Sequence, residues 1–130
     1  LINKYQQEAE HSTLQQNSAV IEKCFGAESI EGILTALNAE NTAWTKQQIQ
    51  ILNSRSPTSL KIAFKVFTME SGMSLKQALS MELRLTTKMM QEHDIYEGIR
   101  AVLIDKTRDP KWQPANLKDV QESELNKLFQ

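Results

Sequence analysis

Apolar residues recur at helical spacing through most of the chain. A first helix is predicted from Ser12 or Thr13, with an apolar face formed by Val20, Ile21, Cys24 and Phe25. Ser29 is a candidate N-cap for a second helix, whose apolar positions are Ile30, Ile33, Leu34 and Leu37. Asn41 or Thr42 is expected to begin a third helix, with Trp44, Ile49 and Leu52 as its apolar positions.

The sequence SRSP at 54–57 marks a clear boundary. The residue before a proline avoids the helical region, whereas proline suits the first helical turn, so Pro57 is expected to set a helix start. The predicted inner face of that helix is Leu60, Ala63, Phe64 and Phe67. Gly72 is expected to end it, and Ser74 to cap the longest helix, with a predicted apolar stripe of Leu75, Ala78, Leu79, Leu83, Thr86, Met89 and Met90.

Another helix is predicted within residues 93–112, HDIYEGIRAVLIDKTRDPKW, and charged residues of both signs follow its apolar positions. Asp94 is the expected N-cap and Glu97 its capping-box partner. The apolar spacing predicts one continuous helix with an inner face of Ile95, Ile99, Val102 and Leu103. Gly98 lies inside this helix, where glycine costs about 1 kcal/mol relative to alanine. Close approach of another backbone or a ligand would explain that cost.

An irregular segment is predicted after this helix. Pro110 and Trp112 are expected to pin it onto the helices, and Ser123 with Glu124 to begin a last short helix. The predicted fold is therefore all-α, with about six to seven helices. A polar lead-in over 1–12 is expected to precede a single helical domain over 13–130.

Charge and composition exclude several classes of partner. The formal net charge is −1, with both signs interspersed along the chain, so no field favours nucleic acid or an anionic membrane. No apolar run reaches the length of a membrane-spanning helix. We therefore expect neither a nucleic acid nor a membrane as partner.

The residues that could carry chemistry are few and scattered. Cys24 is the single cysteine, which excludes a disulfide framework within the chain and a multi-cysteine zinc site. We interpret it as a small apolar residue of a helix rather than a nucleophile. His11 and His93 are far apart in sequence, and His93 is interpreted as an exposed residue just before a helix. We expect no catalytic residue and no metal ligand in this chain.

Two charged residues are interpreted as structural. Glu82 lies inside the predicted apolar stripe, where a carboxylate usually needs a partner, so an ion pair is expected. Arg100 is expected to form an ion pair with Glu82 or Glu97. Neither Glu82 nor Arg100 is interpreted as catalytic.

Three pieces of the sequence resemble a known family. They are SPTSLK at 56–61, HDIYEGIRAVLIDK at 93–106 and PKWQPA at 110–115. In these pieces the chain resembles the C-terminal portion of the 3-hydroxyisobutyryl-CoA hydrolases, within the crotonase (enoyl-CoA hydratase/isomerase) superfamily. The resemblance extends from about Ser54 to Phe129.

The resemblance implies a role in a larger enzyme. Proteins of this family carry a glycine-rich oxyanion hole and acidic catalytic residues in an N-terminal β/α part. The resemblance thus implies that this chain is a C-terminal helical domain that covers or lines the CoA site. The implied reaction is hydrolysis of 3-hydroxyisobutyryl-CoA to 3-hydroxyisobutyrate and CoA, in valine breakdown. No cofactor is implied beyond the coenzyme A of the substrate.

One binding residue is implied by the same comparison. In crotonase-like proteins a basic residue at the position of Lys106 often approaches a CoA phosphate, and lysine is an adaptable point charge for that group. The alternative from the residues themselves is that Lys106 caps the carboxyl end of its helix.

The resemblance also implies partners and a location. The first partner is the N-terminal crotonase core of the same protein, followed by acyl-CoA, and a homo-oligomer is a further expectation. The location would be cytoplasmic in a bacterium and the mitochondrial matrix in a eukaryote. Two alternatives stay open: the tail of an enoyl-CoA hydratase or isomerase, and a non-catalytic helical module for interaction or oligomerisation. The latter would expose an apolar face.

Overall fold

The structure, a computed structural model, describes residues 12–130. The predicted lead-in over 1–12 and His11 therefore lie outside the described residues, apart from Ser12. The first half contains α1 (Thr13–Gln16), α2 (Ser18–Phe25), α3 (Ile30–Glu40) and α4 (Ala43–Asn53). The second half contains α5 (Pro57–Glu70), α6 (Leu75–Met89), α7 (His93–Ile99), a π-helical segment (Arg100–Ile104), a 3-10 turn (Leu117–Asp119) and α8 (Glu122–Phe129).

Residues 12–130 contain no strand, so the prediction of an all-α fold is confirmed. The described part has eight α-helices, one more than the upper expectation, because the first predicted helix is interrupted at Asn17. None of the described helices is both long and apolar enough to cross a membrane.

Several helix starts have the predicted capping residues, whereas α8 begins at Glu122, one residue before the predicted start at Ser123. The side chains of Ser29, Thr42 and Ser74 each accept a backbone N–H from the first turn of the helix that follows. Pro57 occupies the first turn of α5, as predicted, and Ser56 is the N-cap. Local sequence therefore determines where these helices begin.

The buried apolar residues form two clusters. The first contains Cys24, Ile30, Ile33 and Leu37, and the second contains Ile62, Leu85, Val120, Leu125 and Leu128. Helix α5 contributes to both, with Leu60 and Phe64 packed on the first and Ile62 and Val66 in the second. Burial raises the pKa of the Cys24 thiol, which fits a core residue rather than a nucleophile.

The predicted inner faces of α5 and α6 are partly wrong. In α6 the buried residues are Met81 and Leu85, whereas Leu75, Leu79 and Leu83 are exposed. In α5, Ile62 is buried and Phe67 is 78% exposed. Both helices carry apolar residues on more than one face, and packing against α8 determines which face of α6 is buried.

Glu82 is exposed because the stripe around it is exposed. It forms no ion pair with any residue of 12–130, so the predicted structural ion pair is wrong for the described part of the chain. An exposed carboxylate keeps its hydration and needs no partner.

Two substitutions in α6 test this assignment of faces. Leu85 is 5% exposed and Leu83 is 70% exposed, two residues away in the same helix. We expect Leu85→Ala to lower the free energy of unfolding of this chain by about 2–5 kcal/mol, because it leaves a cavity in the second cluster. The matched control Leu83→Ala is expected to change it by less than about 0.5 kcal/mol. Urea denaturation measures both, and equal losses would contradict the assignment.

Candidate functional site

Asp94 connects three segments that are distant in sequence. Its carboxylate accepts hydrogen bonds from the Ser56 hydroxyl (2.5 Å) and from the backbone N–H of Gln113 (2.9 Å). The Asp94 side chain is only 9% exposed. The three sequence pieces that carry the family resemblance, at 56–61, 93–106 and 110–115, therefore meet at this one carboxylate.

This geometry corrects the prediction that Asp94 is an N-cap. Helix α7 begins at His93, with Glu92 at the N-cap position, so Asp94 lies within the first turn. The interpretation of His93 as a residue before the helix is likewise wrong by one position, although its side chain is exposed as expected. The His93 Nδ1 atom lies 3.0 Å from Asp94 Oδ1.

Glu97 is the second carboxylate on this face of α7. It accepts two hydrogen bonds from the Arg100 guanidinium, each at 2.8 Å, and one from the backbone N–H of Lys111 at 2.5 Å. Its side chain is 10% exposed. These donors stabilise the ionised form and lower the pKa of Glu97 to about 2. The predicted capping box with Asp94 is therefore absent from α7.

Arg100 joins α7 to the residues that follow it. Its guanidinium pairs with Glu97, one of the two predicted partners, and also with Asp105. Glu82 is not a partner. Both carboxylates favour the charged guanidinium and raise the pKa of Arg100 further.

We call residues 109–116 the strap. Asp94 and Glu97, three positions apart on α7, accept the N–H groups of Gln113 and Lys111, two positions apart in the strap. Between these, Trp112 donates its indole N–H to the Ser54 carbonyl at 3.1 Å, which pins the strap as its sequence suggested. The strap thereby lies along α7.

The space above Gly98 is occupied by a side chain. A Cβ at this position would lie 3.4 Å from the ring of Trp112. The close neighbour is therefore the indole of the strap, rather than the backbone or ligand that was expected. A side chain much larger than alanine would displace the ring.

The predicted continuous helix changes character after Ile99. Residues Arg100–Ile104 are π-helical, and the Asp105 N–H donates to the Arg100 carbonyl at 2.8 Å. The wider turn leaves Ala101 fully buried, while Val102, Leu103 and Ile104 are exposed. Ile99 is exposed as well, so the predicted burial of Ile99, Val102 and Leu103 is wrong. Single π-helical turns within α-helices often occur at functional sites.

We call residues 105–108 the basic turn. Lys106 and Arg108 have φ values of 57° and 54°, in the left-handed region that costs a non-glycine residue about 1–3 kcal/mol. The Arg108 N–H donates to the Ala101 carbonyl at 2.9 Å. Neither cation forms an ion pair with any other residue of 12–130.

The resulting surface has two chemical parts. Exposed apolar side chains of the π-helical segment precede two exposed cations, and the intervening Asp105 is paired with Arg100. Such a surface suits a ligand or partner with an apolar part next to an anionic part. The placement of Lys106 and Arg108 was missed, because no sequence signal marks either residue as left-handed.

The lowered pKa of Glu97 predicts a pH dependence of stability. The free carboxyl titrates near 4.5 and the folded one near 2. The contribution of ionised Glu97 to the free energy of unfolding is complete above pH 4.5 and disappears as the pH falls towards 2. We expect Glu97→Gln to lower the thermal midpoint at pH 7, by an amount that shrinks below pH 4.5.

The control is Glu124→Gln, which removes an exposed carboxylate paired with Lys127 and should change the midpoint little at any pH. Circular dichroism melts across this range measure both variants. A constant difference between Glu97→Gln and the unsubstituted chain would contradict the assignment.

Comparison with known proteins identifies the family of this chain. The family model described as enoyl-CoA hydratase/isomerase matches residues 1–129. Mitochondrial 3-hydroxyisobutyryl-CoA hydrolase of Rattus norvegicus is 46% identical over 109 residues, which are 84% of this chain and 28% of that protein. The enzyme of the same name from Danio rerio is 38% identical and is matched over 99% of this chain and 35% of its own length.

Solved structures share the fold. A carnitinyl-CoA dehydratase from Mycobacterium thermoresistibile matches with a TM-score of 0.88 and 29% identity, over 95% of this chain and 36% of that one. An enoyl-CoA hydratase from Rhodobacter sphaeroides matches with a TM-score of 0.84 and 27% identity, over the same shares. The chain thus spans about a third of the length of these relatives. It belongs to the enoyl-CoA hydratase/isomerase (crotonase) family and is related to 3-hydroxyisobutyryl-CoA hydrolase.

Proposed function

We propose that this chain is the C-terminal helical domain of a CoA thioester hydrolase. The proposed substrate of the whole enzyme is 3-hydroxyisobutyryl-CoA, and the products are 3-hydroxyisobutyrate and CoA. The observation that carries the proposal is the 46% identity to a hydrolase of that name, over a segment that is 28% of its length. The hydrolase relatives are named mitochondrial, and the location proposed here is the mitochondrial matrix in a eukaryote and the cytoplasm in a bacterium.

The chemistry of the reaction requires groups that the described residues do not assemble. Hydrolysis of a thioester needs N–H donors at the carbonyl oxygen and an acid or base that activates water. The two least exposed carboxylates of α7, on Asp94 and Glu97, are committed to hydrogen bonds with the strap and neighbouring side chains. In this proposal the N-terminal part of the enzyme supplies catalysis, and this chain has no catalytic residue.

The proposed contribution of this chain is to bind the substrate. Lys106 is exposed, follows an apolar segment and forms no ion pair with any other residue of 12–130. CoA joins an apolar pantetheine arm to phosphate groups, so the basic turn is suited to one of its phosphates. The remaining exposed apolar side chains provide area for packing on the N-terminal part.

Two other functions have some support. The solved relatives named dehydratase and hydratase favour another CoA reaction of the same family, but their identities of 27–29% are lower than those of the hydrolases. Exposure of Leu75, Leu79 and Leu83 on one face of α6 favours an association surface, as in an oligomerisation module. Sedimentation of the chain distinguishes self-association from a monomer.

The phosphate contact is tested in the full-length enzyme. We expect Lys106→Ala to raise KM for acyl-CoA about two- to fivefold, the value of an exposed ion pair, with kcat nearly unchanged. The effect should decrease as salt is added. Lys118→Ala, which removes another exposed lysine, is the control and should leave KM unchanged. An unchanged KM for Lys106→Ala at low salt would contradict the proposed contact between Lys106 and a CoA phosphate.

The proposal that catalysis resides in the N-terminal part predicts that the 130-residue chain by itself does not hydrolyse acyl-CoA. Release of free CoA thiol from 3-hydroxyisobutyryl-CoA measures this directly. The full-length enzyme, assayed in parallel, controls for substrate quality. Turnover by the purified chain would show that the chemistry resides here.

A further inference from the structure

The region around the basic turn is tied to the rest of the chain by specific polar contacts. Neither apolar cluster of the described residues includes a residue between 90 and 116. Two hydrogen bonds connect the region to the boundary between α4 and α5. The Ser56 hydroxyl donates to Asp94, and the Trp112 indole N–H donates to the Ser54 carbonyl. Its conformation therefore depends on individual hydrogen bonds, which substitutions can remove one at a time.

Glu97 acts on both flanks of the basic turn. Before the turn, it holds the Arg100 guanidinium, which in turn pairs with Asp105. After the turn, it accepts the backbone N–H of Lys111. One nearly buried carboxylate thus connects the start of the turn with the strap that follows it.

The turn needs such restraint because of its backbone. Two of its four residues are non-glycine residues with positive φ, and such residues persist only where the surroundings determine their conformation. Backbone bonds from the Asp105 N–H to the Arg100 carbonyl and from the Arg108 N–H to the Ala101 carbonyl tie the turn to the segment before it, and neither ties it to the strap after it. The contacts of Glu97 supply that restraint.

We propose that Glu97 is a positioning residue that fixes Lys106 for a phosphate-bearing ligand by holding both flanks of the basic turn. The proposal rests on the proposed function, in which Lys106 contacts a phosphate of CoA. Glu97 itself touches no ligand in this proposal and acts through Arg100 and the Lys111 amide. Pre-organisation of this kind reduces the ordering cost of binding.

An electrostatic role and a positioning role of Glu97 predict opposite changes in CoA affinity when its carboxylate is removed. A phosphate near Lys106 is repelled by any nearby negative charge, so loss of the Glu97 charge alone would strengthen CoA binding. If Glu97 positions Lys106, the same change weakens binding. The sign of the change therefore separates a positioning role from a simple electrostatic one.

The experiment measures CoA affinity by titration calorimetry in the full-length enzyme, at low salt. The variants are Glu97→Gln, Lys106→Ala and the double variant, and Asp109→Asn is the matched control in the same region. Asp109 is exposed and pairs only with the Lys111 side chain among the described residues, so its loss should leave affinity unchanged or slightly higher. We expect Glu97→Gln to weaken CoA about two- to fivefold, and the double variant to match Lys106→Ala.

Amide hydrogen exchange measures, without any ligand, how firmly Glu97 holds the strap. Hydrogen exchange should become faster at the Lys111 amide in Glu97→Gln, while the Gln113 amide, which is held by Asp94, keeps its protection. Should Glu97→Gln fail to fold, Asp105→Asn tests the restraint at the start of the turn, where Arg100 pairs with Asp105. That variant removes the exposed partner of Arg100 and is also expected to weaken CoA binding.

The outcomes separate this proposal from the one it rests on. If Lys106→Ala weakens CoA binding but Glu97→Gln leaves it unchanged or strengthens it, the positioning role is overturned and the phosphate contact stands. Additive effects in the double variant would also overturn it, because Glu97 would then act independently of Lys106. If Lys106→Ala has no effect, the phosphate contact fails and the positioning role fails with it.

Discussion

Backbone N–H groups outside helices need other hydrogen-bond acceptors, and for two N–H groups of the strap the carboxylates of α7 are those acceptors. The strap has no helical hydrogen bonds of its own, and Asp94 and Glu97 accept two of its N–H groups. Charged acceptors make these bonds stronger than ordinary amide pairs. Trp112 lies between the two residues that these carboxylates hold, and the basic turn directly precedes the strap.

The hydrogen bonds of Asp94 and Glu97 matter because neither apolar cluster includes a residue of α7 or the strap. Both clusters lie among α2–α6, the 3-10 turn and α8, and α5 connects them. Much apolar side-chain surface is left exposed, on α6 and on the π-helical segment. In a chain that spans about a third of its relatives' length, such surface suits contacts with the remainder of the proposed enzyme.

Local features of the structure agree with the sequence where neighbouring residues decide them. Ser29, Thr42 and Ser74 cap helices as predicted, because a cap depends on residues within one turn. The buried face of α6 was predicted wrongly, because its apolar residues occur on two sides of the helix. The second apolar cluster selects the side with Leu85.

The sequence by itself determined the all-α class, most helix starts and the family resemblance. These depend on short-range spacing and on residue identity. Tertiary structure decided the roles of Asp94 and Glu97, the neighbour of Gly98 and the exposure of the π-helical segment. A carboxylate at a helix start serves equally well as a cap or as an acceptor for a distant amide. For Asp94, the outcome depends on whether a donor such as the strap amide of Gln113 is brought within reach, and only the tertiary structure decides that.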